Sequence, residues 1–205
     1  VKTDFLRTLV KAKPGDWYSE KRIRDFFEKA REVYGAGGYM EFTGYPDYEF
    51  IDAAEGPVAG PGQSTVNVTL RLQEGEQYFV NRLTFTGNTT TRDNVIRREM
   101  RLLEGHIFNT ESLKYSIRRL NQLGYFQNLE QSPDAVDVQK TPDSTNEVDV
   151  TLNLEEQNRN QLTFGAGVSQ FDGFFGQLAF QTSNFLGRGE TVGVSLQKGS
   201  QAQNY

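Results

Sequence analysis

The stretch from Gln161 to Leu196 constrains the fold of this chain most, because it contains three successive segments in which apolar and polar residues alternate. Strands of a soluble sheet alternate in the same way, because one face packs on a core. Here the polar set is Gly, Ser, Thr and Gln with almost no charge, and each segment has roughly the 9–11 residues with which a strand crosses a bilayer. The pattern therefore leaves two interpretations open, the first strands of a transmembrane β-barrel and an edge hairpin of a soluble β domain.

Composition excludes several classes of function. The chain has 205 residues, a net charge of −5 with both signs mixed, and no cysteine. The mixed charge provides no basic surface for nucleic acid, and the absence of cysteine excludes disulfides and thiolate metal sites. No run of about 18 apolar residues predicts a membrane helix. No signal peptide precedes the amphipathic sequence that follows Val1, so we expect the chain to be a fragment of a longer protein.

Periodicity predicts helices and strands in an order that occurs twice. The first occurrence consists of a helix end within residues 1–12, a helix after Ser19, and strands near residues 39–51 and 64–73. We expect the hydroxyl group of Ser19 to cap its helix. The second occurrence consists of a strand over Phe79–Thr86, helices over Arg92–Met100 and after Asn109 or Thr110, a strand region near residues 128–139, and a last strand through Val148 to Leu154. We expect Thr91 to cap the first of these helices, and Ile96, Met100 and Leu103 to form its inner face.

An internal repeat follows from this order. Gly15 and Gly38 of the first occurrence match Gly105 and Gly124 of the second in their spacing, after an insertion of about four residues. The repeated unit is strand, helix, helix, strand, strand, and the first copy lacks its opening strand. Each unit is expected to place two helices on one face of a small sheet. The side chains predicted to be buried are Val66, Leu70, Leu83, Phe85, Ile96, Leu113, Ile117, Val150 and Leu152.

Three segments of the second unit are distinctive: Tyr78–Asn88, Val95–Arg101 and Leu120–Phe126. They are followed by Glu155–Asn160, by Phe164–Ser169, and by the turn sequence Asn184-Phe185-Leu186-Gly187-Arg188-Gly189. Together these segments resemble the outer-membrane β-barrel assembly factors that carry POTRA (polypeptide-transport-associated) domains. Each motif alone is unspecific, but their order is specific, and the resemblance extends over nearly the whole chain.

The resemblance implies an α+β fold class. Two β-α-α-β-β POTRA units, residues 1–75 and 76–156, would precede the first antiparallel strands of a truncated transmembrane β-barrel, residues 157–205. It also implies an insertase in the outer membrane of a Gram-negative bacterium, with its POTRA domains in the periplasm. The implied partners are lipoprotein subunits of an assembly complex, unfolded outer-membrane protein clients and the lipid bilayer, with no nucleic acid.

Backbone groups at strand edges are the candidate functional groups, because unpaired N–H and C=O groups can bind any extended partner. One candidate edge is the middle strand of each POTRA unit, near residues 41–51 and 128–139. The other is the first barrel strand, which the resemblance favours as the edge that pairs with a client. The alternative is that the glycines of this strand only relieve crowding in the barrel wall. The strand consists of Gln161, Leu162, Thr163, Phe164, Gly165, Ala166, Gly167, Val168, Ser169 and Gln170.

The resemblance further implies that the second unit binds a lipoprotein subunit. Arg97, Arg98, Glu99 and Arg101 crowd the first predicted helix of that unit and are the candidate docking residues. A solvated helix face is the alternative interpretation of these charges.

The sequence contains no catalytic constellation, no metal-ligand spacing and no cofactor motif. His106 is the only histidine, and its position beside Gly105 predicts an exposed loop residue. No Gly-x-Ser-x-Gly motif predicts an esterase. We therefore expect neither enzymatic activity nor a cofactor. Two alternatives to the insertase stay open: a two-partner secretion transporter, which exports a polypeptide through its barrel, and a soluble periplasmic POTRA scaffold.

Overall fold

Helices and strands follow one another in the predicted order. The structure, a computed structural model, describes residues 2–51, 64–142, 144–169, 173–199 and 203–204. Among these residues, no helix has both the length and the apolar composition needed to cross a membrane. The elements are α1 (Thr3–Leu9), α2 (Glu20–Ala36), β1 (Thr43–Ile51), β2 (Thr65–Gln73), β3 (Phe79–Thr86), α3 (Asp93–Arg97), α4 (Thr110–Leu123), β4 (Val136–Lys140), β5 (Glu147–Asn153), β6 (Asn160–Ser169), β7 (Gly173–Phe185), β8 (Glu190–Gly199) and β9 (Gln203–Asn204).

The strands of the described residues form three sheets, with the strand orders β1-β2, β3-β5-β4 and β6-β7-β8-β9. Neighbouring strands are antiparallel in the first and the last of these sheets. The chain divides into two compact units. One contains Val1–Arg82, Leu102–Leu113 and Lys140–Val148, and the other contains Leu83–Arg101, Lys114–Gln139 and Asp149–Tyr205. The domain boundaries after residues 75 and 156 stay a prediction.

The core of the first unit lies between α2 and the sheet β1-β2. The apolar stripe of α2 buries Phe26, Ala30 and Tyr34, and the Tyr34 ring stacks on Phe42 with 4.3 Å between the ring centroids. Val66 and Leu70 on β2 are only half-buried, although they were predicted to be buried. In the described residues this sheet has two strands, so β2 lies at an edge and its side chains are covered less completely.

Two pairs of glycines support the internal repeat. Gly15 and Gly105 have φ angles of 90° and 77°, and Gly38 and Gly124 have φ angles of 89° and 68°. Residues with a side chain rarely adopt this left-handed conformation. The glycines that match in spacing therefore also match in the backbone turn that they permit.

The helix caps differ from one another. Ser19 is the N-cap of α2, but its side chain makes no capping hydrogen bond, so the predicted role of its hydroxyl group is wrong. Its backbone carbonyl instead accepts the first helical bond, from the N–H of Arg22 at 3.1 Å. The Asn109 side chain does cap α4, because its Oδ1 accepts the N–H of Ser112 at 2.8 Å. Of the two predicted caps of α4, the structure therefore selects Asn109.

Helix α3 is shorter than predicted, and this changes which leucine after it is buried. The predicted helix extends to Met100, whereas α3 ends at Arg97. Leu103, predicted on the inner face, is 58% exposed, and Leu102 is 3% exposed. Helical periodicity does not continue beyond Arg97, so a prediction based on that periodicity assigns the wrong residue to the core.

Helix α4 buries Leu113, Ser116 and Leu120. Ile117, predicted to be buried, is half-buried. The fully buried position next to it belongs to Ser116, whose hydroxyl oxygen accepts the N–H of Arg101 at 2.8 Å. A buried hydroxyl group needs a hydrogen-bond partner, and this N–H supplies one to the serine on the inner face. Of the other predicted core residues, Leu83, Ile96, Val150 and Leu152 are buried, and Phe85 is half-buried.

Replacing Leu120 by alanine is expected to lower the stability of α4 by about 2–5 kcal/mol, because this fully buried side chain would leave a cavity. The matched change Ile117→Ala is expected to cost less, since its side chain is only half-buried. Hydrogen–deuterium exchange of the α4 amides in the full-length protein measures both effects. Equal loss of protection in the two variants would contradict this assignment of the core.

Candidate functional site

The sheet β6-β7-β8 exposes a continuous apolar face. In its register Leu162 lies opposite Phe180, and Phe164 lies opposite Leu178. On the next strand Leu178 lies opposite Leu196. Phe164 is 74% exposed, and the other apolar side chains of this face are exposed as well. An apolar surface of this extent requires a covering environment, and strands that face lipid have this alternation.

The opposite face of β6 carries Thr163, Gly165 and Gly167. A Cβ atom added at Gly167 would lie 2.7 Å from the Cζ atom of Phe175, so the aromatic ring lies over this glycine. At Gly165 an added Cβ atom would lie 3.7 Å from its nearest neighbour, which is an ordinary contact. Packing of the sheet therefore explains the glycine at 167, whereas no close neighbour requires the one at 165.

Strand β6 lies at the edge of its sheet, and among the described residues it pairs with β7 alone. Of the predicted edge, Gln161–Ser169 fall within β6, and Gln170 lies outside the described residues. In an antiparallel strand, alternate residues direct their N–H and C=O groups to opposite sides. Thr163, Gly165 and Gly167 therefore all direct these groups to the same side, and the intervening residues direct theirs to the other.

One carboxylate just before β6, that of Glu156, is held by several hydrogen bonds. The carboxylate of Glu156 accepts hydrogen bonds from the hydroxyl group of Thr89 at 3.0 Å and from the backbone N–H groups of Thr90 and Thr91 at 3.0 and 2.6 Å. Partial burial raises the pKa of Glu156, but the hydrogen bonds from Thr91, Thr90 and Thr89 together lower it to about 2. A lowered pKa means that the stabilisation is complete at neutral pH and is lost as the pH falls towards 2.

The turn between β7 and β8, residues Asn184–Gly189, binds to the segment that begins with Thr91. The side-chain amide of Asn184 donates to the Thr91 hydroxyl oxygen at 2.7 Å, and its Oδ1 accepts the N–H of Gly189 at 2.9 Å. The carbonyl of Gly187 accepts the N–H of Arg92 at 3.0 Å. The carbonyl of Gly189 accepts the hydroxyl group of Tyr125 at 3.2 Å. The Thr91 side chain is 2% exposed, so this turn covers a buried polar group.

The left-handed backbone of the turn Asn184–Gly189 allows it to approach the second repeat closely. Asn184, Leu186, Gly187 and Gly189 all have positive φ angles. A Cβ atom added at Gly187 would lie 2.0 Å from the carbonyl oxygen of Thr90, and one added at Gly189 would lie 2.4 Å from the guanidinium group of Arg98. The backbone of Thr90 leaves no room for a side chain at Gly187, whereas the obstacle at Gly189 is the end of a flexible side chain.

A second attachment involves the linker before β6. The N–H of Gln157 donates to the carbonyl of Tyr125 at 2.8 Å, and its side-chain amide donates to the carbonyl of Phe126. The guanidinium group of Arg159 donates to the carbonyl of Gly124. The linker therefore lies along the segment that follows α4.

The four candidate docking residues do not share one helix, because only Arg97 lies in α3. Arg97 donates to the Leu83 carbonyl at 3.2 Å, and Arg101 lies over the ring of Tyr115 with 3.4 Å to the centroid. Glu99 pairs with Arg119 at 3.0 Å, and its side chain is only 13% exposed. The Arg98 side chain is 52% exposed and lies 3.6 Å from the Glu99 carboxylate. All four residues thus make contacts within their own unit, and the three arginines remain exposed whereas Glu99 is half-buried.

His106 is exposed, as predicted. One of its ring nitrogens, Nδ1, lies 3.2 Å from the carbonyl oxygen of Glu104. In the part of the chain that the structure describes, no group of three or more His, Cys, Asp or Glu side chains is arranged to hold a metal ion.

The profile of one family, described as POTRA, surface antigen variable number repeat, matches residues 1–75 and 78–157. The chain belongs to the POTRA family. The first matched copy ends after β2 and the second begins just before β3, and the α+β fold with two POTRA repeats followed by antiparallel strands agrees with the predicted class.

Two curated relatives resemble this POTRA chain over almost its full length. It is 29% identical over 199 residues to the outer membrane protein assembly factor BamA of Neisseria meningitidis serogroup B, covering 97% of this chain and 23% of that protein. It is 30% identical over 209 residues to the putative outer membrane protein assembly factor of Treponema pallidum, covering 98% and 23%. The chain thus spans about a quarter of the length of these relatives.

Two solved structures share the POTRA fold of this chain. The crystal structure of BamA from Haemophilus ducreyi lacking POTRA domains 1–3 has a TM-score of 0.76 at 22% identity, covering 97% of this chain and 35% of that one. The structure of Haemophilus influenzae BamA POTRA3–5 has a TM-score of 0.59 at 26% identity, covering 75% and 56%. The first likeness extends over the strands that follow the POTRA repeats.

Sequence reasoning did not identify Glu156, Thr91 and Asn184 as a connected group. Thr91 was interpreted as a helix cap, but the N-cap of α3 is Arg92 and has no side-chain cap bond. One available signal was the turn sequence Asn184–Gly189, which was singled out as a motif without a physical role. Its glycines permit a left-handed turn, and at Gly187 another backbone approaches closely.

Proposed function

We propose that the full-length protein assembles β-barrel proteins into the outer membrane. The observation that carries this proposal is the exposed apolar face of β6-β7-β8, which follows two POTRA repeats in one chain. Two relatives that resemble this chain over nearly its whole length are named as outer membrane protein assembly factors. The protein is an outer-membrane protein, with its POTRA repeats in the periplasm.

In the proposed mechanism, the terminal strand of an unfolded client pairs with the outer edge of β6, the side of the strand opposite β7. The residues proposed to pair are Gln161–Gln170. Main-chain hydrogen bonds provide the affinity, so the edge accepts many client sequences that share only their alternation. The exposed apolar face of the sheet lies against lipid and continues onto the growing client strand. Such pairing requires no catalytic side chain.

Reconstitution of the full-length protein in liposomes tests this function. Unfolded client is added outside, and protection of folded client from protease is followed with time. The proposal predicts protected client within the bilayer. A polypeptide that accumulates inside the liposome lumen would instead indicate a secretion transporter, and a protein that remains in solution without lipid or detergent would indicate a soluble scaffold.

We also propose that a lipoprotein subunit of the assembly complex binds the second repeat near Arg97, Arg98, Glu99 and Arg101. The three arginines are exposed, and Glu99 and Arg119 form an ion pair beside Arg98. The proposed division of the chain into residues 1–75, 76–156 and 157–205 assigns this surface to the repeat that directly precedes the barrel strands.

Glu99→Lys is expected to weaken co-purification of the lipoprotein subunit, because it reverses a charge and places a cation between Arg98 and Arg119. Glu99→Gln is the matched control, since it removes the ion pair with Arg119 without reversing the charge. Co-purification at matched ionic strength measures both. Binding that is unchanged in Glu99→Lys, with the fold intact by circular dichroism, would remove Glu99 from the interface. An equal loss in both variants would assign the effect to the ion pair.

A further inference from the structure

The turn between β7 and β8 and the linker before β6 attach the barrel strands to the second repeat at two places. The linker bonds to residues 124–127, and the turn lies on residues 90–98 and also bonds to Tyr125. One attachment alone permits the sheet to rotate about it. Two attachments made by different parts of the chain oppose that rotation.

We propose that Glu156, Thr91 and Asn184 form a junction clamp, which holds the β7–β8 turn on the second repeat and thereby positions the outer edge of β6 for an incoming client strand. The clamp residues are positioning residues, since none of them lies in β6. This inference rests on the proposed function, because the position of the edge is useful only if a strand is added there.

Thr91 is the centre of the clamp. Its hydroxyl oxygen accepts the amide of Asn184, its backbone N–H donates to Glu156, and the residue is almost fully buried. Buried polar groups lose stability when one partner is removed, because the remaining partner stays desolvated. Thr91 therefore connects the two sides of the clamp, since its backbone N–H binds Glu156 and its hydroxyl oxygen binds Asn184.

The attachments are unequal along the sheet. The turn attaches β7 and β8 to the second repeat through hydrogen bonds of Asn184, Gly187 and Gly189. The linker bonds end at Arg159, just before β6 begins at Asn160. The second and third strands are thus held firmly, while the first strand is held at its start and through β7. Such an arrangement fixes the location of the edge without occupying its hydrogen-bonding groups.

The test uses the full-length protein with spin labels at two exposed positions, Arg118 on α4 and Ser195 on β8. The test variant is Thr91→Val, which keeps the shape of the side chain and removes the hydroxyl group. Thr91→Ser keeps the hydroxyl group and is the rescue variant. Arg188→Gln changes an exposed residue of the same turn and is the control. The two readouts are the distance distribution between the labels and the rate of client insertion into liposomes.

Thr91→Val is expected to raise the ratio of molecules with the turn released from the second repeat to molecules with it bound by roughly tenfold to a hundredfold, which is the effect of losing one buried hydrogen bond. The label distances should then broaden, and insertion should slow, while Thr91→Ser and Arg188→Gln behave as the parent. Asn184→Gly keeps the left-handed backbone, deletes both side-chain bonds and should reproduce the effect of Thr91→Val if that variant folds poorly.

Unchanged label distances in both Thr91→Val and Asn184→Gly would overturn the clamp. Broadened distances with a parental insertion rate would overturn its positioning role and leave the proposed function standing. If the parental protein shows a narrow distribution of label distances but inserts no client, the proposed function is refuted, and with it the positioning role. The junction clamp itself would then remain as a structural feature.

Discussion

Proline substituted on the side of β6 that faces away from β7 is expected to abolish client insertion while the barrel stays folded. Proline removes a backbone N–H and its ring crowds the neighbouring strand, so a client strand would lose a donor and meet a steric obstacle. Residues of one parity in β6 share a side, so Thr163, Gly165 and Gly167 form one set, and Leu162, Phe164 and Ala166 form the other. Only one of these sets donates to the outer edge.

The paired sets supply the control for this experiment. Proline in the set that bonds to β7 should break the β6–β7 ladder, and the full-length protein should lose the gel shift of a folded barrel. Proline in the other set should keep that shift and lose insertion, measured by protease protection of client in liposomes. Exchange of Leu162 or Phe164 for another apolar residue should be tolerated. If every proline variant that keeps a folded barrel inserts client at the parental rate, pairing at β6 is not the mechanism.

Replacing Gly87 by alanine is expected to disrupt the end of β3. Gly87 has a φ angle of 78°, and an added Cβ atom would lie 1.9 Å from the carbonyl oxygen of Leu154. The obstacle is backbone, so it cannot move aside as a flexible side chain does. The N–H of Leu154 also donates to the Thr86 carbonyl at 2.8 Å, and displacement of Leu154 would break that bond. We expect a loss of more than about 4 kcal/mol, which is exceptional for a single substitution.

Gly105→Ala separates the two causes of this effect. Gly105 has a nearly equal φ angle of 77°, but nothing lies within 4 Å of the position of an added Cβ atom. Its replacement should therefore cost only the left-handed backbone strain, about 1–2 kcal/mol. Thermal unfolding of the full-length protein, with exchange of the β3 amides, compares the two variants. Similar losses in both would show that conformational strain, and not the contact with Leu154, accounts for Gly87.

Local patterns predicted the elements whose stability depends on local periodicity. The strand Phe79–Thr86 has the predicted bounds, and β6 coincides with the alternating segment from Gln161, because side-chain alternation is a property of the strand itself. Errors arose where an element ended early. Leu102 replaced Leu103 in the core because α3 ends at Arg97, and the helical pattern alone contains no signal for that end.

The junction clamp could not be predicted in the same way. Thr91 and Glu156 are 65 residues apart, and Thr91 and Asn184 are 93 residues apart. Neither pair has a spacing that periodicity can detect, and each residue taken alone has an ordinary local interpretation as a cap, a linker charge or a turn residue. Only the folded chain brings a carboxylate, a buried hydroxyl group and a side-chain amide together.

The sequence alone determined the repeat, its glycine turns and the alternation of the barrel strands, because spacing and composition within a short segment specify each of them. The tertiary structure decided three further features: which residues of α4 are buried, which charges near Arg98 remain accessible, and which turn attaches the strands to the second repeat. These features depend on contacts between distant segments, and such contacts are decided by how the elements pack, not by the order of residues within any one of them.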